Sequence, residues 1–164
     1  MTMATTIKAA RPARRSPEAL AARLRLADGA GFLVRVLGTR ATAAYEASTG
    51  QTEITPRQFG ALLTLHQQGP LTLTLLARAI CVDRSTLGEM VRRMTAHGLV
   101  RRRDNGADRR SAVISLTAKG EAAVLQLVEG AAAVQAAMLA PLAPEQRREF
   151  LRCLKLVAFA EQTA

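Results

Sequence analysis

The feature that most constrains the fold is a change of hydrophobic period at Gly98. Before this glycine, Leu87, Met90 and Met94 recur at the spacing that places apolar side chains on one face of a helix. After it, residues 99–116 contain two short β-like runs, and the Asn-Gly pair between them is a hairpin turn signal. The sequence therefore predicts a short helix that is followed directly by a β-hairpin.

Capped helix starts precede this hairpin. Thr55 and Gln58 form a capping-box pattern around a proline, which predicts the start of one helix. Thr72 or Thr74 is the predicted cap of a short helix, and Asp83 is the predicted cap of the helix that ends near Gly98. Two short helices joined by a tight link and followed by a hairpin have the order of a winged helix-turn-helix.

Other helical patterns flank this segment. A short one begins after Pro17, and a second one begins at Asp28 and stops near residues 48–50. Thr117 is predicted to cap a long helix over 118–139, and a last helix is predicted over 145–161. Aromatic residues make up only 3% of the chain, so leucine, valine and alanine must fill the core, which favours helices.

The charge distribution indicates a polyanionic partner. Lysine and arginine total 23 against 13 acidic residues, which gives a net charge of +10. The hairpin concentrates this charge, because Arg101–Arg103 leads into its turn and Asp108–Arg110 leads out of it. Asp108 is read as the partner that orients an arginine, or as a turn cap. Charge alone does not distinguish DNA from RNA or an anionic membrane, and GC-rich coding also yields arginine.

Other classes of protein are not favoured. The chain has two histidines and none of the HExxH, GxSxG or phosphate-loop motifs, so we expect no enzyme, no metal and no cofactor. Cys81 and Cys153 have neither disulfide nor metal spacing and are predicted to be buried thiols. Polar residues interrupt the apolar stretch 122–143, and residues 1–15 lack an apolar segment. These features predict a cytoplasmic protein without a membrane partner.

Five short segments, in this order and spacing, resemble the MarR family of bacterial regulators. The resemblance covers residues 55–120, and the flanking helices match in layout only. The matching segments are TLLARA at 74–79, DRSTL at 83–87, GLV at 98–100, DRRS at 108–111 and LTAKG at 116–120.

The resemblance implies a mainly α fold with a small β-hairpin wing, in which a winged helix-turn-helix lobe joins a helical dimerisation domain. A homodimer of this kind addresses half-sites about 34–36 Å apart on double-stranded DNA, so we expect a pseudo-palindromic operator. The expected organisation is a flexible basic arm over 1–16, N-terminal dimerisation helices over 17–54, the DNA-binding lobe over 55–117 and C-terminal dimerisation helices over 118–164.

The same resemblance assigns roles on the DNA. Arg84, Ser85 and Thr86 would meet the major groove, and Arg109 or Arg110 would enter the minor groove. Helix starts would offer backbone N–H groups to phosphates. The expected DNA contacts are Thr55, Thr72, Arg84, Ser85, Thr86, Glu89, Arg92, Arg101, Arg103, Asp108, Arg109 and Arg110. The alternative interpretation of the helix from Asp83 is an ordinary amphipathic surface helix with solvated arginines.

Many members of the family release DNA when a small molecule binds between the dimer domain and the winged lobe. An aromatic carboxylate or a CoA thioester is the effector that the resemblance implies. The candidate ligand contacts are Phe32, Arg35, Arg40, Tyr45, Phe59 and His66. For Arg35 the competing interpretation is a dimer contact or a surface arginine, and for His66 it is a structural role. A redox role for Cys81 is a further alternative.

Two other functions stay open on the sequence. The first is a winged-helix DNA-binding or architectural protein without a regulatory role, and the second is a winged-helix module that binds another protein. The prediction from the sequence is a DNA-binding transcriptional regulator, in this family most often a repressor.

Overall fold

The structure is a computed structural model, and it describes residues 16–50, 52–105 and 108–160. It is mainly helical with one small antiparallel sheet, as predicted. The elements are α1 (Pro17–Ala21), a 3-10 turn (Leu26–Asp28), α2 (Ala30–Thr49), α3 (Pro56–Gln68), β1 (Leu71–Thr72), α4 (Leu73–Ala79), α5 (Arg84–Ala96), β2 (Val100–Asn105), β3 (Asp108–Leu116), α6 (Ala118–Leu139) and α7 (Pro144–Ala158).

The chain divides between Gly38 and Thr39 into two compact units. The first contains α1, which the hydroxyl of Ser16 caps by accepting from the Ala19 amide at 3.3 Å. This helix ends at Ala21, so Leu24 does not continue the helical face on which the sequence placed it. The basic arm predicted over residues 1–16 lies, apart from its last residue, outside the described part of the chain.

The second unit holds the sheet, which has one strand more than predicted. β1 pairs with β3 through Leu71 opposite Ile114 and Thr72 opposite Val113, so the strand order is β1-β3-β2. A strand of two residues has no period of its own, which is why the sequence pattern did not reveal it. The Asn-Gly turn predicted between β2 and β3 includes residues 106 and 107, which lie outside the described residues.

The core of the second unit joins α3, α4, α5, the sheet and the first half of α6. Its largest fully buried side chains are Leu62, Leu76, Leu87, Val91, Met94, Val100, Ile114 and Val124. Full burial of such a side chain contributes about 1.5–3 kcal/mol. Val124 belongs to α6, so this helix, which the sequence assigned to dimerisation, also completes the core of the winged lobe.

The predicted helix starts are confirmed by their caps. Thr55 accepts from the Gln58 amide while the Gln58 side chain accepts from the Thr55 amide, which is the predicted capping box. Asp83 caps α5 and Thr117 caps α6, at the residues where the sequence placed these starts. The last helix is shorter than predicted and ends at Ala158.

The expectation that both cysteines are buried is wrong, since both are exposed in the single chain. Cys81 lies in the link between α4 and α5 at φ 53°, and its Sγ lies 3.7 Å from the carbonyl oxygen of Arg78. Cys153 lies on α7, where its thiol donates to the Glu149 carboxylate at 3.3 Å. Cys81 is exposed because it lies in the left-handed link outside both helices, and Cys153 is exposed because no residue of α7 is buried in the single chain.

By length and composition, α6 is long and apolar enough to cross a membrane, and most of it is exposed in one protomer. Its residues Gly120, Val124, Leu127 and Leu139 are buried within the protein. The first half of α6 therefore packs against the second unit, and the prediction of a soluble packing helix stays a prediction for the rest of it.

Candidate DNA-binding surface

The link between α4 and α5 is tight and internally hydrogen-bonded. The amide of Val82 donates to the carbonyl of Ala77 at 3.0 Å, and Asp83 caps α5 immediately afterwards. The buried residues of α5 are Leu87, Met90, Val91 and Met94, which hold one side of the helix against the core. The arrangement is therefore a helix-turn-helix whose second helix has a fixed inner face.

The outer face of α5 carries the side chains that the sequence predicted would point outward. Arg84, Ser85, Glu89 and Arg92 are exposed, and Thr86 is half-buried. A helix N-terminus with exposed arginine and hydroxyl groups offers both donors and acceptors to base edges. The roles of these residues on DNA stay predictions.

The cap of α5 uses more than one group. The Asp83 carboxylate accepts from the Thr86 amide at 2.8 Å, from the Thr86 hydroxyl at 2.6 Å and from the Ser85 hydroxyl at 2.5 Å. The hydroxyl of Ser85, then the two groups of Thr86, hold the pKa of Asp83 well below its usual value. Since the folded pKa is depressed, the stability that Asp83 contributes is complete above about pH 4 and is lost only in stronger acid.

One acidic residue of α5, Glu89, contacts two of the arginines on the same helix. The Glu89 carboxylate accepts from Arg92 at 2.7 and 3.0 Å, and Arg93 Nε lies 3.8 Å from it. Hydrogen bonding from Arg92 lowers the pKa of Glu89, and the same contact raises the pKa of Arg92. Exposed pairs of this kind contribute little to stability. A phosphate that approaches Arg92 would therefore compete with Glu89 for its guanidinium group.

The end of α5 is fixed to the start of α6 by contacts that we call the α5–α6 joint. The Thr117 hydroxyl donates to the carbonyl of Gly98 at 2.6 Å, and Lys119 Nζ donates to the C-cap carbonyl of α5 at 2.9 Å. Gly98 has φ 71°, which turns the chain out of the helix. Gly120 lies so close to Leu99 that a side chain at this position would collide with its carbonyl group.

The hairpin presents arginines on its first strand. Arg101–Arg103 are exposed on β2, with Arg101 opposite Ser115 and Arg103 opposite Val113 in β3. Residues 101 and 103 point to one face of the strand and residue 102 to the other. Asp108, Arg109 and Arg110 begin β3, and their side chains lie outside the described part of the structure.

The two threonines predicted to bind phosphates act as helix caps. The Thr55 amide already donates to Gln58 at 2.9 Å, and proline follows it, so the amide of Arg57 is the first-turn donor that the capping box leaves. Thr72 accepts from the Leu75 amide at 3.2 Å and also lies in β1. Phosphate binding at α3 would therefore use Arg57 rather than the Thr55 amide.

A cavity of about 430 Å³ lies between the end of α2, the start of α3 and α5. Arg57 and Arg93, two residues that the sequence interpretation did not assign to a site, lie in its wall. The sequence did contain a signal for Arg93, because the helical spacing of residues 86, 90 and 93 places them on one face of α5. The lining residues are Thr42, Thr55, Pro56, Arg57, Gln58, Thr86, Met90 and Arg93.

A second cavity, of about 210 Å³, is lined by Tyr45. Tyr45 is 5% exposed, and its ring lies 6.0 Å from that of Phe59, so the structure brings together two of the predicted ligand contacts. Its hydroxyl is buried without a hydrogen-bond partner among the described residues. Burial raises the pKa of Tyr45, so this hydroxyl stays protonated at neutral pH.

The other predicted ligand contacts have different surroundings. His66 Nδ1 lies 2.7 Å from the Glu121 carboxylate, which favours the structural interpretation of this histidine. The Arg35 guanidinium lies 5.0 Å from the centroid of the Phe32 ring. Arg40 is exposed on α2.

Comparison with known proteins agrees with this geometry. Residues 54–112 match the model of the MarR family. The HTH-type transcriptional repressor NicR of Pseudomonas putida is 27% identical over 134 residues, which are 82% of this chain and 85% of NicR.

Two solved structures extend the likeness to most of the chain. BpsR of Bordetella bronchiseptica, whose structure addresses the regulation of its DNA binding by 6-hydroxynicotinic acid, is 25% identical with a TM-score of 0.76, over 82% of this chain and 96% of BpsR. A probable transcriptional regulator from Pseudomonas aeruginosa is 32% identical with a TM-score of 0.71, over 82% of this chain and 99% of that one. The chain therefore belongs to the MarR family and is a DNA-binding transcriptional regulator rather than an enzyme.

Proposed function

We propose that the chain is a homodimeric repressor that binds a pseudo-palindromic operator on double-stranded DNA in the cytoplasm, and that a small aromatic acid releases it. The observation that carries the proposal is the exposed N-terminal face of α5, with Arg84 and Ser85 at its start, next to a hairpin rich in arginine. The lobe over residues 55–117 supplies these contacts, and the helices over 17–54 and 118–164 supply the dimer.

Exposed apolar side chains on α6 and α7 support the dimer, since regulators of this family act as dimers. Val157, for example, is 76% exposed in the single chain, although its full burial would contribute about 1.5–3 kcal/mol. A second copy of the chain would cover this surface. The exposed large apolar residues of the two helices and of the C-cap of α7 are Leu125, Val128, Leu154, Leu156, Val157 and Phe159.

The two cavities support an aromatic acid as the effector. They share Thr42, Thr55 and Pro56 in their walls, so we treat them as one crevice. An aromatic ring would lie beside Tyr45, and the carboxylate would pair with the guanidinium groups of the larger cavity. A cavity of about 210 Å³ suits a single ring better than the nucleotide of a CoA thioester.

A ligand at this position would contact the DNA-reading helix directly. Thr86 and Arg93 of α5 line the crevice, so an occupant there alters the groups on α5 that would face DNA. BpsR, whose DNA binding 6-hydroxynicotinic acid regulates, supports an acid of this chemistry. Phe32, Arg35, Arg40, Phe59 and His66 remain candidate contacts.

Capture of fragmented genomic DNA on the purified protein tests the main proposal. A repressor should enrich a few promoter fragments that contain an inverted repeat, because each protomer reads one half-site. A duplex with one half-site removed should bind much more weakly than the full repeat. Enrichment of broad regions would instead support an architectural protein, and no retention at moderate salt would support a protein-binding module.

Tyr45→Phe tests the ligand site. The substitution removes a buried hydroxyl that has no hydrogen-bond partner among residues 16–50, 52–105 and 108–160, so we expect the free protein to gain about 1 kcal/mol of stability. We expect 6-hydroxynicotinic acid to raise the melting temperature of the wild type, and the same substitution should make this rise smaller. Differential scanning calorimetry with and without the acid measures both effects.

Nicotinic acid, which lacks the ring hydroxyl, is the matched control ligand in that experiment. The rise in melting temperature that it causes should differ less between wild type and Tyr45→Phe. Arg93→Gln is the second control, since it should weaken both acids alike. Equal stabilisation of wild type and Tyr45→Phe by 6-hydroxynicotinic acid would exclude Tyr45 from the ligand site.

A further inference from the structure

We propose that Asp83 makes the Ser85 hydroxyl an obligate hydrogen-bond acceptor toward DNA, so that the individual base that Ser85 contacts in the major groove is cytosine or adenine, whose exocyclic amino group donates to it. The inference rests on the proposed function, because it takes α5 to be the helix that enters the groove. It makes Asp83 a positioning residue and Ser85 the group that touches the base.

The first step is the direction of the hydrogen bond between the two side chains. Ser85 Oγ lies 2.5 Å from one carboxylate oxygen of Asp83, and Thr86 Oγ1 lies 2.6 Å from the other. An ionised carboxylate has no proton to donate, so each hydroxyl must be the donor. Asp83 is exposed and accepts three hydrogen bonds, which keeps it ionised in the pH range where the protein works.

The second step is the hydrogen-bonding capacity of the Ser85 hydroxyl that remains available to DNA. A serine hydroxyl has a single proton, and in Ser85 that proton is committed to Asp83. The remaining lone pairs can only accept. In the major groove, cytosine N4 and adenine N6 are the donors, whereas guanine and thymine offer only acceptors. Ser85 should therefore select cytosine or adenine at the position that it contacts.

Ser85 and Thr86 share the same partner but differ in access. Ser85 is exposed, whereas Thr86 is half-buried and lines the cavity beside Arg57 and Arg93. The base contact is thus assigned to Ser85 alone. Arg84, the residue before it, is a donor only, so adjacent residues of the helix present opposite hydrogen-bonding characters.

The experiment is selection of bound sequences from a duplex library with one randomised half-site, using full-length protein. Wild type, Ser85→Ala and Asp83→Asn are compared, with Thr95→Ala, an exposed hydroxyl in the last turn of α5, as the matched control. Asparagine also caps helices, so Asp83→Asn should keep α5 folded, which thermal melting checks. Its amide NH₂ can donate to the serine oxygen and so release the serine proton.

We expect wild type and Thr95→Ala to prefer cytosine or adenine about fivefold at one position, as for one net hydrogen bond. Ser85→Ala should lose the preference at that position only, and Asp83→Asn should extend it to guanine or thymine. Replacing the selected base by 2-pyrimidinone or unsubstituted purine, which lack the amino group, should weaken wild type about fivefold and Ser85→Ala not at all.

Three results would overturn the proposal. These are a wild-type preference for guanine or thymine at the position that Ser85→Ala affects, an unchanged preference in a folded Asp83→Asn variant, and a Ser85→Ala variant that alters no position. In each case wild-type protein still selects a half-site, and the proposed function stands. A wild-type protein that binds no duplex refutes both.

Discussion

Gly120→Ala is expected to destabilise the protein by about 3 kcal/mol, which corresponds to a fall of roughly 10 °C in melting temperature. A Cβ at this position would collide with the carbonyl oxygen of Leu99 and lie 3.1 Å from Leu116 Cδ2. The oxygen belongs to backbone that follows α5, so no side-chain rotation relieves the collision. Thermal unfolding followed by circular dichroism measures the change.

The matched control for this substitution is Gly60→Ala. Gly60 lies inside α3, and a Cβ added there meets nothing within 4 Å. Alanine is favoured over glycine in a helix by about 1 kcal/mol, so this variant should melt at or above the wild-type temperature. If Gly120→Ala melted like Gly60→Ala, the close packing assigned to the α5–α6 joint would be wrong.

The double substitution Arg109→Ala and Arg110→Ala is expected to reduce operator affinity by about 100-fold, since one arginine contact in a groove contributes about 1–3 kcal/mol. Both residues begin β3, immediately after the hairpin turn. The arginine density of this hairpin is difficult to explain unless an anion lies beside it. Fluorescence anisotropy on a labelled operator at several salt concentrations measures the loss.

Arg23→Ala combined with Arg25→Ala is the control for charge, because it removes the same net charge from an exposed part of the first unit. This variant should keep most of its affinity, and its salt dependence should be close to that of wild type. Wild-type affinity in the Arg109→Ala and Arg110→Ala protein would refute the role given to the wing.

What the sequence predicted well is local. The caps at Thr55, Asp83 and Thr117 depend on residues three positions apart, and all three occur where the pattern placed them. The inner face of α5 follows from the helical period, and the hairpin from the period of two that replaces it.

What the sequence did not predict depends on contacts between distant segments. β1 forms only because β3 lies beside it, and Arg57 and Arg93 meet in one cavity although they are far apart along the chain. Val124 has the same helical spacing as the exposed residues of α6, and only the packed structure shows that it enters the lobe core. That the buried Tyr45 hydroxyl has no hydrogen-bond partner in the described part of the chain likewise cannot be read from a sequence pattern.

The α5–α6 joint also determines how the protein would measure DNA. In the proposed dimer the two copies of α6 belong to the paired half of the molecule, and Lys119 and Thr117 tie each DNA-reading helix to the start of its own α6. The packing of the two α6 helices in the dimer then fixes the distance between the two copies of α5, and this distance does not change to fit the DNA. One extra base pair between half-sites rotates the second by about 34° around the duplex. The protein would therefore bind operators whose half-sites are one turn of B-DNA apart, and it would bind operators with a different half-site spacing much more weakly.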